Sequence, residues 1–346
     1  MALRLSILDL SPISEGSSGA AALNNTVDLA RHADRLGYTR FWIAEHHNIP
    51  SVASSSPEIM IGQLGRVTSR IRVGSGGIML PNHTPLKVAE NFRVLEALFP
   101  DRVDLGIGRA PGTDPRTAMA LRRTFDPLAN VGFERELQEV LTFGTKGFAA
   151  DHPFRSVRAM PSDVALPPVW LLGSSGHSAR IAATMGLGYA FALHINPSLD
   201  IARAAFRDYR SYFVEGHRMD RPSAMLALSV VCGETDARAA EIAASVELAY
   251  VRLQQGRPGP IASPEDAQRE LEVFDRGLLS QILSAGTMHV AGSPSTVRRR
   301  LEELAELTGV DEIMMLTTLY AHDDRVRSYE LLADEFGLVE ADGFSR

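Results

Sequence analysis

The chain is short of several things, and each shortage removes a class of function. It has one cysteine, Cys232, in 346 residues, which excludes an internal disulfide and any thiolate metal cluster. No apolar run approaches the ~18–20 residues needed to span a bilayer, so no membrane partner is expected. There is no long basic block and the formal net charge is −7, which argues against nucleic acid as a partner. The start, Met1 to Ser6, enters a strand-like pattern directly and lacks the apolar core and cleavage site of a secretion signal. A cytosolic location is therefore the default expectation. The P-loop pattern G-x-x-x-x-G-K-[ST] does not occur, and neither does the helical zinc signature H-E-x-x-H. The chain also carries no internal repeat of fixed period and no low-complexity tract.

What is present is an alternation. Strand-like apolar runs occur at 3–9, 40–44, 71–75, 102–107, 168–172, 188–192, 225–231 and 312–316. Helical periodicity fills 20–36, 57–67, 85–98, 130–144, 176–185, 198–214, 236–254, 295–307 and 323–336. Repeated βα units imply a parallel sheet, and eight of them imply closure into a (β/α)₈ TIM barrel. The rival doubly wound sheet would need a glycine-rich first turn, where this chain has Leu10-Ser11-Pro12-Ile13. A single barrel domain over 1–346 is expected. Two stretches, 109–130 and 255–286, exceed ordinary loops; they read as lids over the C-terminal face or as plain surface insertions.

In a barrel the C-terminal strand ends share one mouth. The second strand ends in Glu45-His46-His47. Adjacent strand residues point to opposite faces, so the two histidines do not serve one pocket together. The third strand ends in Gly76-Gly77, a bulge or a place of close approach by a flat ligand. The fourth offers Gly108 and Arg109, suited to an anion or simply solvated. The fifth offers Ser174, Ser175 and Ser178 around a helix start, where one serine would be a cap and three suggest phosphate binding. Leu8, Leu10, Leu193 and His194 lie at other strand ends and read as pocket wall or as core. Metal binding by the Glu45–His47 segment ranks well behind, because neighbours on an extended backbone do not converge on one ion. Together the strand ends describe a pocket for a planar cofactor that bears a phosphate.

The segments AEHH at 44–47, GSGGIMLPNHTPLKVAE at 74–90, DLGIGRAPG at 104–112 and VWLLGSSGHSARIAA at 169–183 resemble the bacterial luciferase-like flavin monooxygenases, in particular their YhbW-like branch. The likeness runs along nearly the whole chain in order and spacing. It implies a luciferase-like (β/α)₈ barrel that uses reduced FMN as co-substrate, delivered by an NAD(P)H-dependent flavin reductase, and often a homodimer. It implies a non-proline cis peptide at Gly76-Gly77 against the flavin, phosphate contacts from Arg109, Ser175 and Ser178, a flavin-contacting acid at Glu45 and a catalytic histidine at His46. The implied reaction passes through a flavin C4a-hydroperoxide. His46 fits a proton-moving role because its unperturbed pKa, ~6.5, is close to neutrality. His47 is either a substrate contact or a satisfied structural histidine. Departures also show: Gly108 stands where the luciferases carry a reactive cysteine, and Ser174 where they carry an acid. Two other readings remain, a deazaflavin (F420)-dependent dehydrogenase on the same barrel and a non-catalytic FMN-binding protein.

Overall fold

The computed structural model describes residues 3–122, 132–145, 147–216, 219–274 and 289–338. Its strands are β1 Arg4–Asp9, β2 Arg40–Ile43, β3 Arg72–Ser75, β4 Ile78–Met79, β5 Val103–Gly108, β6 Val169–Gly173, β7 Gly188–Ala192, β8 Ala224–Cys232, β9 His289–Gly292 and β10 Glu312–Leu316. All pairings among them are parallel. Strands β1, β2, β3, β5, β6, β7, β8 and β10 close on themselves, because β10 pairs with β8 on one side and β1 on the other. This is the (β/α)₈ barrel that the eight apolar runs predict. The two further strands are additions: β4 pairs along the mouth end of β5, and β9 pairs with the last four residues of β8.

The strands are largely apolar because both faces are buried. Outward side chains such as Ile7, Phe41, Ile43, Leu105 and Phe191 join the helices in one large core. Inward positions change character along the barrel axis. At the base Arg40 bridges Asp104 and Glu312, each at 2.7 Å, and Arg72 adds a 2.6 Å pair with Asp104. The Ser6 hydroxyl donates to Glu312 and the Trp42 indole to Asp104. Above this plug sits a smaller inward cluster that includes Leu8, Trp42, Trp170, Met225 and Met314, with Trp42 and Trp170 edge to face at 5.7 Å.

Both long stretches contain a helix that periodicity alone does not suggest, Pro115–Arg122 and Pro264–Leu271. Residues 123–130 of the first and 275–286 of the second lie outside the described residues. The described part of the second is tied to the loop after β1. The Ile261 amide donates to the Ile13 carbonyl at 2.9 Å, and the Glu15 amide donates to the Ile261 carbonyl at 2.8 Å. It therefore borders the C-terminal face. Among the described residues no helix is long and apolar enough to cross a membrane.

Candidate active site

A cavity of about 330 Å³ opens at the C-terminal mouth, with a predominantly apolar wall. Alternation along β2 explains what enters it. Trp42, Ala44 and His46 share the inward face and line the cavity, whereas Phe41 and Ile43 pack outward. The loop after β5 fixes the His46 ring, whose Nδ1 lies 3.2 Å from the Gly112 carbonyl. A carbonyl only accepts, so Nδ1 carries the proton and Nε2 is left as a bare acceptor. Gly112 has φ +65°, and a Cβ there would come within 2.7 Å of the Glu45 carbonyl oxygen, so the close approach needs glycine. Burial lowers the His46 pKa from its ordinary value, with partial opposition from the Gly112 carbonyl and Glu45, so the ring is neutral near pH 7.

Glu45 turns away from the cavity. Its carboxylate is fully buried and accepts from the Met79 amide at 2.9 Å; His83 and His47 lie 2.9 Å from it. Burial opposes its charge, but His83, His47 and the Met79 amide together hold the carboxyl below its usual range. The partner effect appears at His83, where burial works downward and the Glu45 carboxylate more than reverses it. Asn82 links the same carboxylate to the Pro111 carbonyl, so Glu45 gathers the loops after β3 and β5 around the cavity.

The Gly76–Gly77 peptide between β3 and β4 is cis, as the resemblance implies. Gly76 lines the cavity, and a Cβ on it would lie 2.5 Å from Leu8 Cδ1. Gly108 also lines it, and a Cβ there would meet Met79 Sδ at 2.7 Å. The methionine thus occupies the space that a cysteine at 108 would need.

The opening of the helix Gly176–Thr184 forms a polar part of the wall, with Ser174, Ser175 and Ser178 all on it. Ser175 is the N-cap, yet its hydroxyl makes no capping bond. The first-turn amides are therefore open to another acceptor. Ser178 Oγ donates to the Ser175 carbonyl at 2.9 Å, and Tyr189 and Asn196 brace the Ser174–Ser175 backbone. A Cβ at position 173 would fall 1.9 Å from Ser178 Oγ, so Gly173 is what lets that hydroxyl fit. Arg109 is exposed on the same cavity and has no ion pair among the described residues.

The structure thus gathers Leu8, Leu10, His46, Gly76, Arg109, Ser174, Ser175, Ser178 and His194 on one cavity. Three sequence expectations need correction, and the open reading of His47 closes on its structural alternative. Leu193 is fully buried in the outer core, since β7 continues its alternation past Tyr189 and Phe191 and sends Leu193 outward and His194 inward. His47 is spent on Glu45 and does not line the cavity. The Glu45 carboxylate holds loops and reaches no cavity surface, which replaces the direct flavin contact expected of it. Gly77 abuts the Gly106 carbonyl, and only Gly76 of the pair lines the wall. Sequence reasoning passed over His83, Met79, Tyr189 and Asn196; a histidine and an asparagine beside Pro81 were the available signal for the first.

The family model for luciferase-like monooxygenases matches residues 3–312. A luciferase-like monooxygenase of Escherichia coli (strain K12) is 39% identical over 332 residues, 96% of each chain. An N-acetyl-S-alkylcysteine monooxygenase of Bacillus subtilis (strain 168) is 34% identical over 96% of this chain and 98% of its own. The crystal structure of apo-MsnO8 superposes with a TM-score of 0.90 at 38% identity, covering 98% of this chain and all of that one. More distant structures share the fold alone. One is an oxygenating constituent of 3,6-diketocamphane monooxygenase from Pseudomonas putida in complex with FMN, at 17% identity, a TM-score of 0.71 and coverage of 97% and 98%. Another is an F420-dependent secondary alcohol dehydrogenase, at 12% identity, a TM-score of 0.69 and coverage of 97% and 99%. The chain belongs to the luciferase-like monooxygenase family.

Proposed function

We propose that this protein is an FMN-dependent monooxygenase that takes reduced FMN as co-substrate and inserts an oxygen atom from O₂ into a small organic substrate. One observation carries the reading: an arginine with no ion pair among the described residues and an open helix start share a cavity with a glycine turn and a neutral histidine. The residues fit the cofactor. Gly76 presents bare backbone on the cavity wall, which suits a flat ring system. Arg109, Ser174, Ser175, Ser178 and the first-turn amides suit a phosphate.

When bound, reduced FMN supplies the electrons that activate oxygen; the chain itself contributes binding, orientation and dryness. The walls of Leu8, Leu10, Trp42 and Met314 exclude water from the reacting centre. Glu45 and His83 keep the Gly76–Met79 turn in place through the Met79 amide. His46 takes up a proton at Nε2, the one ring nitrogen that the Gly112 carbonyl leaves unprotonated. The absence of a nicotinamide-binding turn from the sequence supports a separate NAD(P)H-dependent flavin reductase as the source of reduced FMN.

Anaerobic titration with reduced FMN tests the assignment. Hydrogen bonds to charged groups are worth about 1.5–3 kcal/mol, so Arg109→Ala is expected to weaken binding by about 10- to 150-fold. An unchanged Kd overturns the phosphate assignment. Tight binding of coenzyme F420 with none of reduced FMN would move the protein to the dehydrogenase reading.

A further inference from the structure

His194 is a cavity residue that the proposed reaction does not use. It lies just beyond β7, where Ala190 and Ala192 precede it on the inward face, and it lines the same cavity as His46. Its Nδ1 is 3.3 Å from the Ala227 carbonyl on β8. As at His46, the carbonyl fixes the tautomer: Nδ1 donates and Nε2 is a bare acceptor. That Nε2 has no hydrogen-bond partner among the described residues. Burial, with the nearby His46 acting in the same direction, pushes the His194 pKa down to about 4 and so opposes its becoming a donor. His177, the remaining imidazole on the wall, is different in kind. It is more than half exposed and faces Glu134 at 3.5 Å.

The surroundings sharpen the point. The wall combines apolar groups such as Leu10, Met314 and Leu316 with few polar atoms. An acceptor on such a wall, with no protein donor among the described residues, is left for a donor carried by a ligand. A site built around one hydrogen bond discriminates strongly against ligands that lack the matching group.

We propose that His194 anchors the substrate by accepting a hydrogen bond at Nε2 from a neutral hydroxyl or thiol carried on an apolar body. The same geometry turns away groups that only accept, such as ethers and ketones, and turns away carboxylates, which would set a negative charge against a lone pair. This names a substrate class for the monooxygenase proposed above and rests on that reading of the cavity. The binding measurement contains no flavin, so its outcome is independent of the reduced-FMN titration.

The test uses the full chain with ¹⁵N-labelled histidine, 4-ethylphenol as the donor probe, and 4-ethylanisole and 4-ethylbenzoate as matched probes without a donor. Long-range ¹H–¹⁵N spectra at pH 7.5, with His194 assigned through its loss in His194→Asn, are expected to show a neutral ring protonated at Nδ1. 4-Ethylphenol is expected to shift the His194 Nε2 resonance and to bind at least tenfold more tightly than either other probe. In His194→Phe the preference is expected to fall to about twofold or less, while His194→Gln, which retains an acceptor, keeps part of it. A ring protonated at Nε2, equal or absent binding of the phenol, or a preference that survives in His194→Phe overturns the proposal. The tautomer and the Nε2 shift are read on the wild type, so the proposal stays falsifiable if a variant does not fold.

Discussion

The two ends of the barrel use the same inward-facing positions in opposite ways. Along β2 these positions run Arg40, Trp42, Ala44 and then His46; along β5 they run Asp104, Gly106 and Gly108. At the base the side chains are large or charged and each charge is matched, with Arg40 between Asp104 and Glu312 and Arg72 on Asp104. Arg40 and Arg72 outweigh the burial of Asp104 and hold its carboxyl below the usual range. At the mouth the side chains shrink to alanine and glycine, space opens, and polar atoms are left without partners among the described residues: His46 Nε2, His194 Nε2 and the Arg109 guanidinium. One end spends its polar groups on itself, and the other presents them to a ligand. Stability and chemistry are therefore assigned to different layers of one barrel.

The comparison breaks most visibly at His46. His46→Ala removes the group that moves the proton, and such groups contribute about 10²–10⁴-fold. Turnover with reduced FMN, O₂ and a competent substrate is expected to fall by that factor. The thermal midpoint and the Kd for reduced FMN should stay close to wild type. A large drop in midpoint would show that the mouth also carries the fold.

Asp104→Ala is the converse. It leaves Arg72 without its carboxylate partner, takes one of two from Arg40 and removes the acceptor of the Trp42 indole. Breaking a buried ion pair from one side costs about 3–5 kcal/mol. Denaturant unfolding should report a loss of that order, while turnover per folded molecule changes little. If turnover collapses with stability retained, the plug is part of the active site and the two layers are not separate.

The same contrast explains what was legible in the sequence. Every closing strand was visible, because a strand buried on both faces reads as a short, mostly apolar run. β4 has only two residues, and β9, His289–Gly292, carries one large apolar side chain, Val290, so neither shows a pattern. The helix Pro264–Leu271 had a signal that the preceding Gly- and Pro-rich stretch obscured: Ser263 accepts from the Asp266 amide at 3.1 Å in the spacing of an N-cap. At the site, alternation separated His46 from His47, and the same rule applied to β7 would have kept His194 and sent Leu193 outward. The role of Glu45 was not legible at all. Its partner His83 is 38 residues away, and the parallel pairing of β2 with β3 brings them together.

The smallest expected effect concerns acid. The His194 pKa is about 4 in the folded protein against an ordinary 6.5. Between those values the unfolded chain binds a proton that the folded chain refuses, so stability falls as pH drops through that window and levels off below it. His46, also depressed by burial, acts in the same direction. His83 has the opposite sign: its raised pKa gives stability that is present below 6.5 and lost as pH rises through the folded value. Asp104, held low by two arginines, gives stability that is lost only as pH falls through a carboxylate value below the usual one. Denaturant unfolding at pH 7.5 and pH 5 should therefore show an acid loss on the order of 1–2 kcal/mol from the mouth histidines. His194→Asn should retain more of its stability at pH 5 than the wild type does. A variant that loses as much as wild type would mean that His194 already carries its proton in the folded cavity. An imidazolium there has no free acceptor, and the difference between a satisfied base and an unsatisfied mouth would then have to rest on His46 and Arg109.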